Sequence, residues 1–422
     1  MNPLRCRTTA ALAMAALVVA APHAWAQDEH AAHVAAAPQA PAAPRWEWNV
    51  DSNAFIGFNY QYRKFRDFNA WESQNWVMGT GRRGAGPGTI VVTSMWSLEA
   101  LTLRDIGSPQ VFQTGETFRR APLIDYQHPH DLIMGLGTQY SRPLGRATLL
   151  GSVDLVGSPS IGPAAFMHRP SASENPQVPL SHHYMDSTHL TPGVVRGGIG
   201  VGGWRAEASW FRGREPDENR LDIDLGALDS TAARVSWSRG PWSAQVSGAT
   251  LTQPELLAPY DAKRLTSSVA YTTGDESRGI AWLAAFGQNR EIHGNLEAYL
   301  FEATVRLSPQ TTVYTRAESV AKSILDAGFH PPNAFHRHRQ SQVGALTIGY
   351  VRDVLRNRAG GFGAGVDVTG YLVPANLEEP YGSPLSFHVF LRYRAPRPQA
   401  GALRPRSAAC AGECAAVSRQ HD

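Results

Sequence analysis

The stretch Ala233-Arg234-Val235-Ser236-Trp237-Ser238-Arg239-Gly240-Pro241-Trp242-Ser243-Ala244-Gln245-Val246-Ser247 decides the fold. Ala233, Val235 and Trp237 alternate with Arg234 and Ser236. Gly240-Pro241 then turns the chain, and Trp242, Ala244 and Val246 alternate with Ser243, Gln245 and Ser247. A period of two gives each strand of this hairpin one apolar and one polar face. The pattern spreads outward from here. Ile56, Phe58, Tyr60 and Tyr62 share a face, as do Leu132, Met134, Leu136 and Tyr140. So do Trp204, Ala206, Ala208 and Trp210, against Arg205, Glu207 and Ser209, and Phe387, Val389, Leu391 and Tyr393, against His388 and Arg392. The periodicity predicts strands near 50–63, 73–82, 88–104, 130–142, 146–157, 193–202, 204–213, 229–239, 241–251, 264–273, 279–290, 295–308, 310–320, 342–352, 361–373 and 385–395.

The connections sort by parity. Short turns at 82–87, 142–145, 202–203, 240–241, 273–278 and 308–310 alternate with connections at 105–129, 158–192, 214–228, 252–263, 321–341 and 374–384, which are mostly long. A soluble sandwich has no reason to sort loop lengths this way. The expectation is an all-β fold: a transmembrane antiparallel β-barrel of about sixteen strands, with short periplasmic turns and long extracellular loops. Tyr140, Trp204, Trp237, Trp242, Tyr271, Tyr350 and Tyr393 all fall beside short turns on the apolar face, as an interfacial aromatic girdle would. The opposite face, expected to line the lumen, carries Glu99, Asp154, Arg205, Glu207, Arg234, Glu302, Arg306, Arg316, Glu318, His388 and Arg392. Facing lipid, each would cost several kcal/mol, so a wet or densely paired interior is expected.

The N-terminus sets the compartment. Arg5 and Arg7 precede an apolar run at 10–21, and Ala24-Trp25-Ala26 is a small-x-small cleavage site. Residues 1–26 therefore read as a signal peptide, 27–45 as an Ala/Pro-rich periplasmic leader, 46–395 as the barrel and 396–422 as an unstructured tail. Cys410 and Cys414 in that tail could close a small disulfide or hold a soft metal. A net charge of +3 argues against a nucleic-acid partner, and the length is too short for a TonB-dependent receptor of twenty-two strands with a plug domain.

Histidine, with 15 copies, is the unusual residue. His128 and His130 point the same way in an extended chain and can share one metal ion. In Ser181-His182-His183-Tyr184-Met185-Asp186-Ser187-Thr188-His189, a short helix capped by Ser181 would stack His182, Asp186 and His189 on one face. His168 lies in the same loop. His128, His130, His168, His182, His183, Asp186 and His189 are therefore the candidate site, for copper or zinc. A hydrogen-bonded plug segment is the alternative. The charged run 214–229 reads as salt bridges rather than a calcium site, and His330, His336 and His338 as a binding surface beside arginines. Ser181 and Ser187 near the histidines make a weak argument for a hydrolase.

The runs Ser94 to Glu99, Gln113 to Thr117, Asp125 to Asp131, Gly162 to Ser171, Ser181 to His189 and Gly213 to Glu218 resemble a Gram-negative outer-membrane β-barrel family. The similarity covers nearly all of Trp46 to Arg394, and the family is associated with heavy-metal and copper resistance loci. The resemblance implies a barrel and a metal connection, and supplies no catalytic residues. Three function classes follow. The first is a channel or binding protein with a histidine-rich loop site, in which loops 105–129 and 158–192 form the constriction. The second is a general or solute-specific porin with plug loops. The third is an outer-membrane enzyme acting on lipid or polysaccharide. Expected partners are outer-membrane lipid, lipopolysaccharide, the barrel-assembly machinery, a metal ion and further copies of the chain.

Overall fold

A computed structural model describes residues 45–256, 260–275, 277–292, 294–325, 340–357 and 360–395. The expected signal peptide, the leader up to residue 44, the tail with its cysteines, and His330, His336 and His338 lie outside the described residues. The strands, in chain order, are β1 (Glu47–Arg63), β2 (Arg66–Glu72), β3 (Asn75–Ala85), β4 (Gly88–Trp96), β5 (Ser108–Phe118), β6 (Ala121–Gln127), β7 (Ile133–Leu144), β8 (Ala147–Gly157), β9 (Thr191–Val201), β10 (Trp204–Phe211), β11 (Ser230–Arg239), β12 (Trp242–Leu251), β13 (Ala262–Gly274), β14 (Gly279–Glu291), β15 (Gly294–Ser308), β16 (Thr311–Lys322), β17 (Ser341–Asn357), β18 (Gly360–Leu372) and β19 (Leu385–Arg394). Short helices α1 (Glu99–Thr102), α2 (His182–Met185) and α3 (Glu378–Tyr381) lie in the connections.

Seventeen of these strands form one antiparallel sheet that closes on itself. Closure is made by β1 and β19, which pair from Asn53↔Arg394 to Tyr62↔Leu385. On its other side, β1 pairs first with β3 and then with β2, so β2 and β3 are two halves of one stave broken at Ser73-Gln74. The wall therefore has sixteen staves, as the alternation predicts. The predicted strand 88–104 is shorter than expected: β4 ends at Trp96, and Glu99 sits on α1 rather than on a strand. None of the described helices is long and apolar enough to cross a membrane, which says nothing about the strands.

The two faces separate as read. Trp204 is 59% exposed, Val389 54% and Leu391 63%, all pointing outward. Trp204 packs on Trp237, and Trp242 on Tyr271 and Trp282, beside the short turns. Inward, the pairing register itself places Glu207 opposite Arg234, Glu302 opposite Arg316 and Asp367 opposite His388. Glu207 and Arg234 bond at 2.9 Å. Arg205, Arg306, Glu318 and Arg392 are buried on the same face, and Asp154 is half-buried beside Ser152.

Two features of the interior depart from the expectation. The connection 105–129 contains a bulged hairpin, β5–β6, that pairs only with itself and packs inside the wall. The interior is also partly dry. Phe112, Tyr126, Leu180, Tyr184 and Met185 from the inserted loops meet Leu283, Ala285, Leu296, Ala298 and Leu300 from the inner faces of β14 and β15 in one apolar core. Burying such side chains is worth about 1.5–3 kcal/mol each, which gives the inserted loops a reason to stay in.

Asp125 ties the hairpin to the wall. Its carboxylate accepts from Arg63 Nε on β1 at 2.8 Å, from the Phe112 N–H at 2.9 Å and from the Tyr381 hydroxyl at 3.1 Å. Removing one partner of a buried ion pair costs about 3–5 kcal/mol. Asp125→Ala is expected to expose the 108–127 hairpin to protease while the wall still forms. Unchanged protease resistance of the refolded variant in detergent would show that the apolar core alone holds the hairpin.

Candidate functional site

The inserted loops bring together five of the six predicted histidines. Their rings form a closed circuit: His128 to His130 at 6.4 Å between centroids, His130 to His189 at 5.4 Å, His189 to His182 at 5.2 Å, His182 to His183 at 5.4 Å, and His183 back to His128 at 6.0 Å. All five are at least nine-tenths buried. Phe166 touches His130 and His182 from one side. His168, the sixth, stands apart and packs edge-on against Trp76.

Local chain geometry explains the circuit. The predicted single helix is interrupted. α2 spans His182–Met185, Asp186 leaves helical geometry at φ −135°, and a 3-10 turn follows at Ser187–Leu190. The break lets Asp186 serve both segments. Its Oδ1 accepts from His182 Nδ1 at 2.8 Å, and its backbone carbonyl accepts from His189 Nδ1 at 2.8 Å. Ser181 does not cap α2 with its side chain, as the sequence suggests. Its hydroxyl donates to Glu318 of the wall at 2.7 Å, and the Leu180 and Ser181 amides donate to the same carboxylate. Two glycines make room. A Cβ on Gly115, whose φ is +130°, would lie 2.3 Å from His183 Nε2, and one on Gly287 of β14 would lie 2.5 Å from the Tyr184 carbonyl.

Carboxylates surround the circuit. Glu99 accepts from the Nδ1 of His130 at 2.7 Å and from its backbone amide at 3.0 Å. Glu116 accepts from His128 Nε2 at 2.8 Å. Glu215 and Glu255 stand 3.5 and 3.7 Å from His183 Nδ1. Two arginines neutralise part of this charge. Arg169 bridges Asp186 at 2.6 Å and Glu302 at 2.7 Å, and Arg220 binds Glu116 and Asp131. The sequence marks Arg220 only as part of a salt-bridging run and marks neither Arg169 nor Glu255. Glu255 sits in Pro254-Glu255-Leu256, where no local signal marks it.

Titration follows from these neighbours. Burial pushes His182 down to about 4, outweighing Asp186 beside it. Burial also holds His189 well below the usual imidazole range, helped by His182 and His130. Burial would lower His130 too, but the Glu99 carboxylate overcomes it and His130 is raised. His183 is raised in the same way by Glu215 and Glu255, against its burial. Glu255 is pushed up to about 7 by burial and by the adjacent Glu215.

Within the circuit, four buried imidazole nitrogens make no hydrogen bond: His130 Nε2, His189 Nε2 and both nitrogens of His183. A cavity of about 30 Å³, lined by Glu99, Gln110, His128, His130, Phe166 and Gln177, adjoins the circuit. It holds roughly one water. In the 214–229 segment, Arg220 makes the ion pairs expected there, and Asp217, Asp222 and Asp224 gather nearby on the surface.

No family model and no curated protein matches the chain. Solved structures do. OmpF of Salmonella typhi, in a complex with daunomycin, aligns with a TM-score of 0.52 at 9% identity, covering 82% of this chain and 97% of that one. OmpT, an outer membrane protein of Vibrio cholerae, in a loop L8 deletion mutant, gives 0.44 at 8% identity over 82% and 99%. A Rhodopseudomonas blastica porin triple mutant gives 0.39 at 10% identity over 82% and 100%. The first likeness establishes the barrel fold and nothing finer. It agrees with the barrel that the family resemblance implies and gives no support to the association with metal resistance.

Arg169 is the structural hub, because it joins Asp186 of the histidine loop to the wall carboxylate of Glu302, which also accepts from the Ser171 hydroxyl at 2.7 Å. Arg169→Ala leaves Asp186 and Glu302 buried without it, at a cost of about 3–5 kcal/mol. Urea unfolding in detergent is expected to show that loss. A variant as stable as the parent would mean that Arg316 takes over Glu302 and that Asp186 needs no arginine.

Proposed function

We propose that the chain is an outer-membrane channel of the porin type, closed at its long-loop end by an internal plug made of residues 105–131 and 158–190. The single observation that carries this reading is the wall: a sheet without edges, apolar outside and ionised inside. Closure satisfies the strand amides where no water reaches, and the apolar outer face suits hydrocarbon rather than water. Sixteen staves enclose enough width for an aqueous path once the loops are removed. The fold shared with OmpF supports the same reading.

The plug is what distinguishes this barrel from an open pore. Glu174 in the second loop is bound by Arg392 and by Arg394, at 3.0 Å, on β19. Lys322 of β16 donates to Gln113 and to the Leu180 carbonyl. These bonds pin both loops to the arc of the wall that runs from β16 to β19. Loops 105–129 and 158–192 thus fill the bore rather than merely narrowing it. The enzymatic alternative gains no support from the serines, since Ser181 donates to Glu318 and Ser187 accepts from Arg264.

Planar-bilayer recordings test the reading. Deleting the β5–β6 hairpin is expected to convert a poorly conducting barrel into one with steady ion current. A hairpin-deleted barrel that folds yet passes no more current than the parent would refute it. The lipid-facing assignment has its own check. Val389→Arg, at mid-strand on the outer face, is expected to cost about 2–4 kcal/mol in vesicles. No loss of stability there would place β19 away from hydrocarbon.

A further inference from the structure

Two of the buried imidazole nitrogens without a partner are more informative than the circuit that contains them. His130 Nδ1 lies against a carboxylate, His182 Nδ1 against another, and His189 Nδ1 against a carbonyl oxygen. These partners only accept, so each Nδ1 carries the hydrogen. In the neutral ring, each Nε2 then bears a lone pair. For His130 and His189 that lone pair is buried with no donor in reach. A buried acceptor left in this state costs about 1–3 kcal/mol. Three such rings converge from two inserted loops, with His189 between the other two.

This arrangement is how proteins prepare imidazoles for a metal. A histidine ligand gives one nitrogen to the ion and fixes the other with a carboxylate or carbonyl, which sets tautomer and orientation. Bonds of about 2 Å to one ion place neighbouring imidazole centroids roughly 5 Å apart. The His189–His182 and His130–His189 spacings are 5.2 and 5.4 Å. We propose that His130, His182 and His189 donate their Nε2 atoms to one divalent transition-metal ion of the zinc or copper class, with Glu99 and Asp186 as orienting partners. The ion joins the segment after β6 to the loop that carries α2, so it staples the two plug loops together. The three nitrogens do not all lie within 4.8 Å of one another, so binding draws the rings inward.

Two other clusters carry less. His183, Glu215 and Glu255 have ligand atoms within 4.8 Å of one another, but an imidazolium facing two carboxylates is already an ion pair. Arg264 and Lys322 add further positive charge nearby. Asp217, Asp222 and Asp224 are surface carboxylates with nothing buried aimed among them. The proposal does not depend on whether the barrel conducts.

The test is zinc binding by the mature chain, refolded metal-free in detergent and titrated in competition with a chromophoric chelator. One zinc per chain is expected. His189→Ala should abolish stoichiometric binding, Glu99→Gln should weaken it about 10- to 100-fold, and His183→Ala should leave it intact. Zinc-edge X-ray absorption on the unmodified protein needs no variant, and three imidazole shells are expected. The proposal falls if the parent takes up no zinc, as it would if a water sat against these nitrogens. It falls equally if His189→Ala binds undiminished, or if the absorption edge reports one imidazole among carboxylates.

Discussion

A backbone amide in hydrocarbon has no water to bond, and that constraint organises this molecule. A flat sheet would leave two edges of unpaired groups, so the first and last strands must find each other. They do so along ten residue pairs, from Asn53↔Arg394 to Tyr62↔Leu385. Once the ring is closed, inside and outside are different solvents. The strict alternation of each strand then has a physical meaning: Val235 and Val246 face outward, while Arg234 and Gln245 face in.

Closure also creates a problem at the bore, which must be filled, flooded or both. This chain fills much of it with its own loops. The filling uses two kinds of contact. An apolar core joins Phe112, Leu180 and Met185 to the bare inner faces of β14 and β15. Around it, wall ions meet plug ions: Glu302 with Arg169, Arg392 with Glu174, Arg63 with Asp125. Buried pairs of this kind contribute little net stability, but each wrong pairing is costly, so they fix where the loops sit. The histidine circuit lies at the centre of that filling, where the segment after β6, the α2 loop and Phe166 meet.

The wall was legible in the sequence because its signal is repeated sixteen times and reinforced by loop parity. Trp204-Arg205-Ala206-Glu207 reads the same way alone as in the ring. A plug was legible only as an alternative, and the β5–β6 hairpin inside it was not. Backbone at positive φ at Phe112, Gly115, Glu116 and Asp125 breaks the register of β5 and β6, so no clean period of two survives there. The apolar inner face of β14 and β15 was hidden for a related reason. Leu283 and Leu300 satisfy a plug, and nothing local says that one exists. The histidines show the same division. Their types and spacing suggested a shared site, and His182, Asp186 and His189 do share it. Only the fold separates His168, placed against Trp76, from the other five, and only the fold brings in Glu255 and Arg169.

Hydrogen exchange of the folded chain in lipid vesicles examines the closure most directly. The amides that cross the seam between β1 and β19, such as those of Ile56 and Leu391, should be as protected as those of interior strands like β14. Rapid exchange confined to β1 and β19 would mean an open sheet with two free edges, and a chain that is not a barrel.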